Sequence, residues 1–392
     1  MSTENKKIMV IGGGIAGLTA AWELSRFGID VELVEKTCFL GGKAIGFCCK
    51  ATDECVQCGA CSVEDMLKKV VESPSIRVHL ATEVESIDQQ KTFKVKLKKS
   101  SPAMDDAENG LLTGFSKNNS PLYVVVDRTK AGEISQDAVD LADLGNEGRL
   151  EVDAVVVASG FSPFDAGIKR TYGYGVFTNV ITGMDLEGIK RKFGSVVKPS
   201  DQKAPEKIAF IQCVGSRDER LGNLWCSQVC CPYAMRMASD VKFNNPEAQI
   251  SIFYMDIQNA GKNFPCFYQK SKETMKFIRT IPVDVFPLEN DRLKMRYLNE
   301  EDGMPVEEEF DLVVLSVGIT PGPDNASLAE LFGIRLNEDG FMAANDSLNR
   351  TLTTHQGVFI AGTVEGPKTI AASMAHAGQA AGEVIKYLGV SK

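Results

Sequence analysis

Histidine is scarce here: only His79, His355 and His376 occur in 392 residues. They add little, and neither a Ser-His-Asp order nor a paired-carboxylate arrangement stands out. Long apolar runs are missing too. Each is broken by Gly or a charge before the roughly 18 residues that a membrane helix needs. Positive charge is in deficit, with 43 Lys and Arg against 52 Asp and Glu and a formal net charge of −9. An acidic balance argues against nucleic acid or an anionic membrane as main partner. The basic cluster KVKLKK at 94–99 is read as a solvated strand or loop. The polar start MSTENKK runs straight into a strand and is not expected to be a secretory signal. The expected compartment is the cytosol. In that reducing setting 11 cysteines are more readily metal ligands or redox thiols than disulfides.

The first strand, Ile8 to Ile11, runs into GGGIAG, which sets Gly12, Gly14 and Gly17 in the G-x-G-x-x-G spacing. Gly12 permits the tight turn, Gly14 the close approach of a pyrophosphate, and Gly17 close packing of helix on strand. The following helix would offer the amides of Ile15, Ala16 and Gly17 to the anion, where the dipole favours negative charge. A second strand, DVELVEK, brings Glu35, with Lys36 behind it, about 20 residues on, where a ribose-hydroxyl ligand is expected. Strand, turn, helix, strand and acid fall in order, so a dinucleotide site is expected.

FAD and NAD share this fingerprint, and later segments decide for FAD. Gly41, Gly42 and Lys43 resemble the Gly-Gly turn after the ribose acid in two-dinucleotide-domain flavoproteins. Ala158, Ser159 and Gly160, at the end of a buried strand, resemble their alanine-threonine-glycine segment. GVFIAGTVEG and the helix from Thr369 resemble the segment that closes over the flavin, with Gly362-Thr363 where Gly-Asp is usual.

The expected second dinucleotide domain has its strand, KIAFIQCVGSR, but no second glycine fingerprint. Gly215 stands alone, and the turn carries C-x12-C-x3-CC instead: Cys213, Cys226, Cys230 and Cys231. Four thiolates suit a four-iron cluster, with zinc or simply packed thiols as the alternatives. Zinc sites favour two short C-x2-4-C knuckles, and a thioredoxin-like pair needs C-x-x-C, and this segment has neither. Cys226 and Cys230 are spaced like neighbours on one helical face. A nicotinamide site replaced by a cluster is the expectation here.

A second group, Cys48, Cys49, Cys55, Cys58 and Cys61, contains the C-x2-C-x2-C run of bacterial ferredoxins without its usual continuation. The candidate ligand set is Cys49, Cys55, Cys58 and Cys61, the fourth position staying open to Cys48 or a distant residue. A second four-iron cluster, zinc or exposed redox thiols all remain compatible with it. Cys38 and Cys266, each alone beside aromatics, are read as buried or spare.

With these residues in view, IQCVGSRDERLGNLWCSQVCC and GVFIAGTVEGPKTI resemble the A subunit of heterodisulfide reductase, a likeness that spans nearly the whole chain. The chain is most similar to the branch in the quinone-interacting membrane-bound oxidoreductase complex of sulfate reducers, which lacks the extra ferredoxin domains. The resemblance implies a [4Fe-4S] cluster on Cys213, Cys226, Cys230 and Cys231 near FAD. It places a Gly-Pro-Lys at Gly366, Pro367 and Lys368, where Lys368, read in the first turn of a helix, could stabilise a reduced flavin. His376 could face the flavin but is read as a packed histidine. Implied partners are a second flavin and iron-sulfur subunit, a membrane cytochrome subunit, and adenylylsulfate reductase as a further contact. That places the chain at the inner face of the cytoplasmic membrane through its partners.

The expected fold is α/β, a two-dinucleotide-binding-domain flavoprotein like the disulfide and thioredoxin reductases, with iron-sulfur insertions. Residues 1–165 form the first FAD-binding part, with the Cys-rich segment 48–61 and a flexible insertion at 100–149. Residues 166–325 form the degenerate second domain, and 326–392 return to the FAD domain. The expected function is electron transfer between the quinone pool and adenylylsulfate reductase, by bifurcation or confurcation. The alternatives are a stand-alone NAD(P)H-dependent disulfide or sulfur reductase and a non-catalytic FAD and zinc scaffold.

Overall fold

The computed structural model describes residues 6–37, 39–100, 148–258 and 263–390. The chain begins β1 (Lys7–Ile11), α1 (Ile15–Ser25), β2 (Asp30–Val34), α2 (Cys61–Val71) and β3 (Ile76–His79). β4 (Thr82–Gln89), β5 (Phe93–Lys99), β6 (Gly148–Val152), β7 (Ala154–Val157) and β8 (Phe161–Pro163) follow. Next come β9 (Val180–Thr182), α3 (Gly183–Phe193), β10 (Lys207–Val214), α4 (Cys230–Asn244), β11 (Gln249–Phe253), α5 (Phe264–Thr274) and β12 (Lys276–Ile278). The last are β13 (Asp284–Pro287), β14 (Leu293–Leu298), β15 (Pro305–Phe310), β16 (Leu312–Val317), β17 (Ile319–Pro321), α6 (Asn325–Phe332), β18 (Val358–Ile360) and α7 (Ile370–Leu388). Two compact units result. One comprises Met1–Phe47, Gly59–Ser162 and Pro321–Lys392, the other Cys48–Cys58 and Pro163–Thr320.

The first unit is built on a parallel sheet of order β18-β7-β1-β2-β3. Its strands are apolar without alternation because both faces are covered. Ile8, Val10, Val31 and Leu33 pack on one side with α1, α2 and α7, while Met9, Ile11, Val155 and Val157 pack on the other. α1 offers Ala16, Gly17, Ala20 and Ala21 as buried residues, and α7 offers Ala377, Ala380 and Ala381, so small side chains line both. β4, β5 and β6 form an antiparallel sheet, with Leu97 opposite Gly148. The insertion expected at 100–149 lies, for 101–147, outside the described residues; its flanks leave and rejoin neighbouring strands of that sheet.

The second unit repeats the plan with the parallel order β12-β11-β10-β16-β9 and a three-stranded antiparallel sheet β13-β14-β15. Along β10, Ile208 and Phe210 pack with Ala234, Met235, Met237, Ala238 and Val241 of α4, while Ala209 and Ile211 pack with Val285, Met295 and Phe310. Residues 48–58 belong to this unit, although the sequence groups them with the first domain. Nonlocal bonds hold them: Cys48 N–H donates to Glu187 at 2.8 Å, Lys190 Nζ to Cys49 O at 2.7 Å and Arg236 Nε to Val56 O at 2.9 Å.

Candidate functional site

In the first unit the dinucleotide cradle assembles as its glycines require. Gly12 has φ +103°, and a side chain there would meet Ala158 O at 2.4 Å; at Gly17 it would meet Gly12 O at 1.8 Å. Gly14 is the N-cap of α1 without a side-chain cap, and the first turn carries no acid. The leading amides of Ile15, Ala16 and Gly17 are therefore offered to an anion. Glu35 Oε2 accepts the Gly13 N–H at 2.6 Å, and Oε1 accepts the Thr37 N–H and hydroxyl at 2.8 Å, which orients the carboxylate at the end of β2. Gly41 N–H donates to Gly13 O at 2.8 Å, and a Cβ on Gly42 would lie 2.9 Å from Gly14 Cα. Gly362 closes against Ala16, where a Cβ would come within 2.5 Å. Ser159 Oγ is buried with no partner. A cradle that added side chains would fill, carrying one orphaned hydroxyl and a free helix N-terminus, fits the pyrophosphate end of FAD. Gly17→Ala is expected to yield protein with a several-fold lower flavin-to-protein absorbance ratio and a stability lowered by about 1–3 kcal/mol or more, checked by thermal melting.

Several expected contacts fall elsewhere. Lys36 pairs with Asp324 on an exposed surface, and Lys43 lies 6.0 Å over the Phe161 ring. Thr363 sits in a short 3-10 turn, Gly362–Val364. Thr369 spends its hydroxyl as N-cap of α7, accepting the Ala372 N–H at 3.2 Å. Lys368 therefore precedes the helix instead of occupying its first turn. Its ammonium pairs with the buried Glu365, which Arg350 also grips.

His376, set aside as packing, has a positioning task. Its Nδ1 accepts the Gly362 N–H at 3.0 Å and its Nε2 lies 3.1 Å from Arg350 O, which the neutral Nε2–H tautomer satisfies. Burial, then Lys368, hold its pKa below the usual 6.5. The unfolded chain thus takes up a proton first as pH falls, so this contribution to stability is complete above about pH 6.5 and is lost below it. His376→Gln can keep both hydrogen bonds without titrating, so its melting temperature should fall less between pH 8 and pH 5.5 than that of the wild type. His79 is structural too, with Nε2 2.6 Å from buried Glu32.

In the second unit Cys213 lies at the end of β10, and Cys230 and Cys231 open α4. The register of β10 on β16 shifts between Ile211 and Val214, a bulge that turns Cys213 out of the ladder. Cys213, Arg217 and Gln228 all have φ between +55° and +60°, an unusual concentration of left-handed non-glycine residues. Gly215 is fixed by the Phe164 ring, which its Cβ would meet at 1.9 Å. Cys226 and Cys230 do not share a helical face as expected: α4 starts at Cys230, and the left-handed Gln228, whose N–H donates to Cys226 Sγ at 3.3 Å, stops it from starting earlier. Cys230 Sγ lies 3.8 Å from Val317 O and Cys231 Sγ 3.9 Å from Asp256 O. Asp256 is itself paired with Arg217.

Burial pushes the thiols of Cys213, Cys230 and Cys231 up, Cys231 to about 11, and each is raised further by other cysteines of the group. Reactive redox thiols need the opposite shift. Thiols that resist ionisation yet lie within range of one another's charge suit a cofactor that supplies the positive charge itself. Gln212, Ser216 and Ser316 bury side-chain polar atoms without partners nearby. This donor set fits an iron-sulfur cluster. Among the described residues no group of three or more His, Cys, Asp or Glu is gathered to hold a single metal ion.

The other cysteines are divided between the two units. Cys49, Cys55 and Cys61 are exposed and Cys58 half-buried; Cys61 opens α2 in the first unit, whereas Cys49, Cys55 and Cys58 belong to the second. Cys48 is poorly suited as a ligand, because its Sγ rests 3.5 Å from Glu187 O, and burial and Glu187 push its thiol up. Arg236, which no sequence pattern singles out, lies within charge range of Cys58 and Cys55. Cys266 is exposed on α5, and Cys38 lies outside the described residues.

The sequence matches the pyridine nucleotide-disulphide oxidoreductase family over residues 6–211. It is 33% identical to the A subunit of the H(2):CoB-CoM heterodisulfide,ferredoxin reductase of Methanothermobacter thermautotrophicus, over 96% of this chain and 63% of that protein. To the A subunit of the Ferredoxin/F(420)H(2)-dependent CoB-CoM heterodisulfide reductase of Methanosarcina acetivorans it is 30% identical, over 100% of this chain and 54% of that one. The chain thus spans just over half to just under two thirds of these curated relatives. Thioredoxin reductases of T. acidophilum and Lactococcus lactis superpose with a TM-score of 0.58 at 15% and 17% identity, each over 98% of this chain and 99% of the other. They establish the two-dinucleotide-domain fold. No described helix is long and apolar enough to cross a membrane. The chain therefore belongs to the pyridine nucleotide-disulphide oxidoreductase family, and over nearly its whole length it is like the A subunit of heterodisulfide reductase.

Proposed function

We propose that this chain is an electron-transfer subunit with FAD in its first unit and a four-iron cluster on Cys213, Cys226, Cys230 and Cys231 in its second. One observation carries the reading: the strand end and helix N-terminus where a nicotinamide dinucleotide would bind in this fold carry Cys213, Cys230 and Cys231, which with Cys226 lie within range of one another's charge. When bound, FAD exchanges electrons in pairs and a cluster exchanges them singly. Ile15, Ala16, Gly17, Glu35 and the Gly41-Gly42 turn would hold the dinucleotide. Lys368 is the candidate cation beside the flavin ring, its charge shared with Glu365. Cys49, Cys55, Cys58 and Cys61 remain the candidate ligands of a second cluster.

Within this class we place the chain in a quinone-interacting complex of sulfate reduction, passing electrons between the quinol pool and adenylylsulfate reductase. A second flavin and iron-sulfur subunit, with a membrane cytochrome subunit, would be its partners and hold it at the inner face of the membrane. The likeness of the segments 211–231 and 357–370 to heterodisulfide reductase A supports the electron-transfer class, and the quinone-linked placement is the finer resemblance drawn from the sequence. Bifurcation or confurcation at the flavin belongs to the same reading; two well-separated one-electron reduction steps in stopped flow would end it.

The family match itself favours a rival, a stand-alone NAD(P)H-dependent reductase. Anaerobic mixing with NADH or NADPH separates the two. The electron-transfer reading expects no flavin bleaching within seconds, and rapid bleaching would overturn it. Iron, acid-labile sulfide and zinc are quantified on the same sample, where zinc without iron would point to a scaffold.

A further inference from the structure

We propose that Gln212, assisted by Ser316 and Ser216, donates hydrogen bonds to the sulfur atoms of the cluster on Cys213, Cys226, Cys230 and Cys231 and thereby raises its reduction potential. This rests on the cluster reading above. Gln212 is 1% exposed, and neither its amide nitrogen nor its oxygen has a partner; the hydroxyls of Ser216 (1%) and Ser316 (3%) are likewise unpartnered. Buried polar side chains are nearly always satisfied, so three orphans in one place point to an acceptor that binds there.

Their position identifies the acceptor. On β10 the residues Ile208 and Phe210 face α4, and the alternation carries Gln212 to the same side. On β16, Leu312 and Val314 face α4, and Ser316 continues that series. The strands are neighbours, with Ile211 opposite Leu315 and Val214 opposite Val317. Both side chains thus stand at the strand ends on the α4 side. Cys213 adjoins Gln212, and Cys230 Sγ lies 3.8 Å from Val317 O, next to Ser316. Ser216 approaches from the turn: a Cβ on Gly318 would lie 3.0 Å from Ser216 Cβ and 2.8 Å from Ser227 Oγ. Ser227, three residues before Cys230, accepts the Ile319 N–H at 2.8 Å.

Protonated thiols are weak acceptors, whereas thiolate and sulfide sulfur are negative and accept N–H and O–H well. One added electron makes them more negative, so donors favour the reduced state and lift the potential. The bulge at 212–213 then has a second result besides turning out Cys213, since it leaves Gln212 without a ladder neighbour at its tip.

The test uses the full chain purified without oxygen. Gln212→Leu and Ser316→Ala are compared with wild type by EPR-monitored dithionite titration, with iron and sulfide measured on each, and by melting of chelator-stripped protein. Gln212→Leu is expected to retain its iron and to shift the one-electron equilibrium about tenfold toward the oxidised cluster, about 59 mV. Its stripped form should melt above the stripped wild type, since an unpaired amide is gone. Ser316→Ala should shift the potential the same way by less, and it decides alone if Gln212→Leu fails to fold or to hold iron. Unchanged potentials at full iron content would overturn the proposal and assign the orphans to buried water. A wild type without iron and sulfide defeats the cluster reading itself and the proposal with it.

Discussion

Cys230→Ala is expected to give a folded protein that keeps its flavin and loses one cluster. Cys230 is buried at the first turn of α4, with Sγ 3.8 Å from Val317 O. Removing one sulfur there leaves three of four thiolates, and binding free energy that had contributed to folding goes with it. Iron and acid-labile sulfide should fall by one four-iron cluster, and one dithionite-dependent EPR signal should vanish. The flavin-to-protein ratio should stay put, because Gly12, Gly17 and Glu35 lie in the other unit. Cys266→Ala, an exposed cysteine on α5, is the control expected to change nothing. Iron unchanged in Cys230→Ala would sink the ligand assignment.

The flavin cradle was legible because it depends on backbone. Gly12 and Gly17 are there since no other residue fits 2.4 Å from Ala158 O or 1.8 Å from Gly12 O, and such demands survive as letters in the sequence. The cysteine spacing was legible for a similar reason, thiols being few and costly to bury together. The secondary structure between them was not. An i,i+4 pair at Cys226 and Cys230 has helical spacing, but the left-handed Gln228 interrupts the helix, and nothing in its letter marks that. Contacts between distant segments were invisible altogether. His376 takes its meaning from Gly362 and Arg350, and Arg236 from a loop 180 residues away. The same blindness assigned residues 48–58 to the first domain, since sequence neighbourhood says nothing about Glu187.

That loop depends most on one buried ion pair, so Lys50→Met is expected to cost the second unit about 3–5 kcal/mol. Lys50 is 1% exposed; its Nζ pairs with Glu187, donates to Cys48 O at 3.0 Å and lies 5.4 Å over the Tyr233 ring. Glu187, 2% exposed, also accepts the Cys48 N–H at 2.8 Å. Methionine fills the volume of the lysine stem but leaves a buried carboxylate without its cation, and that uncompensated charge is the larger part of the penalty. Lys50→Met combined with Glu187→Gln removes both charges, and the introduced amide oxygen can still accept the Cys48 N–H. The double variant should therefore recover much of the loss, with a coupling of about 0.5–3 kcal/mol in a urea-unfolding cycle. The segment 51–55 should also be cut faster by protease in the single variant than in the double, because its anchor at Cys48–Lys50 is loosened only there. A single variant within about 0.5 kcal/mol of wild type, as for an ordinary surface change, would mean that Lys50 does not anchor the cysteine loop.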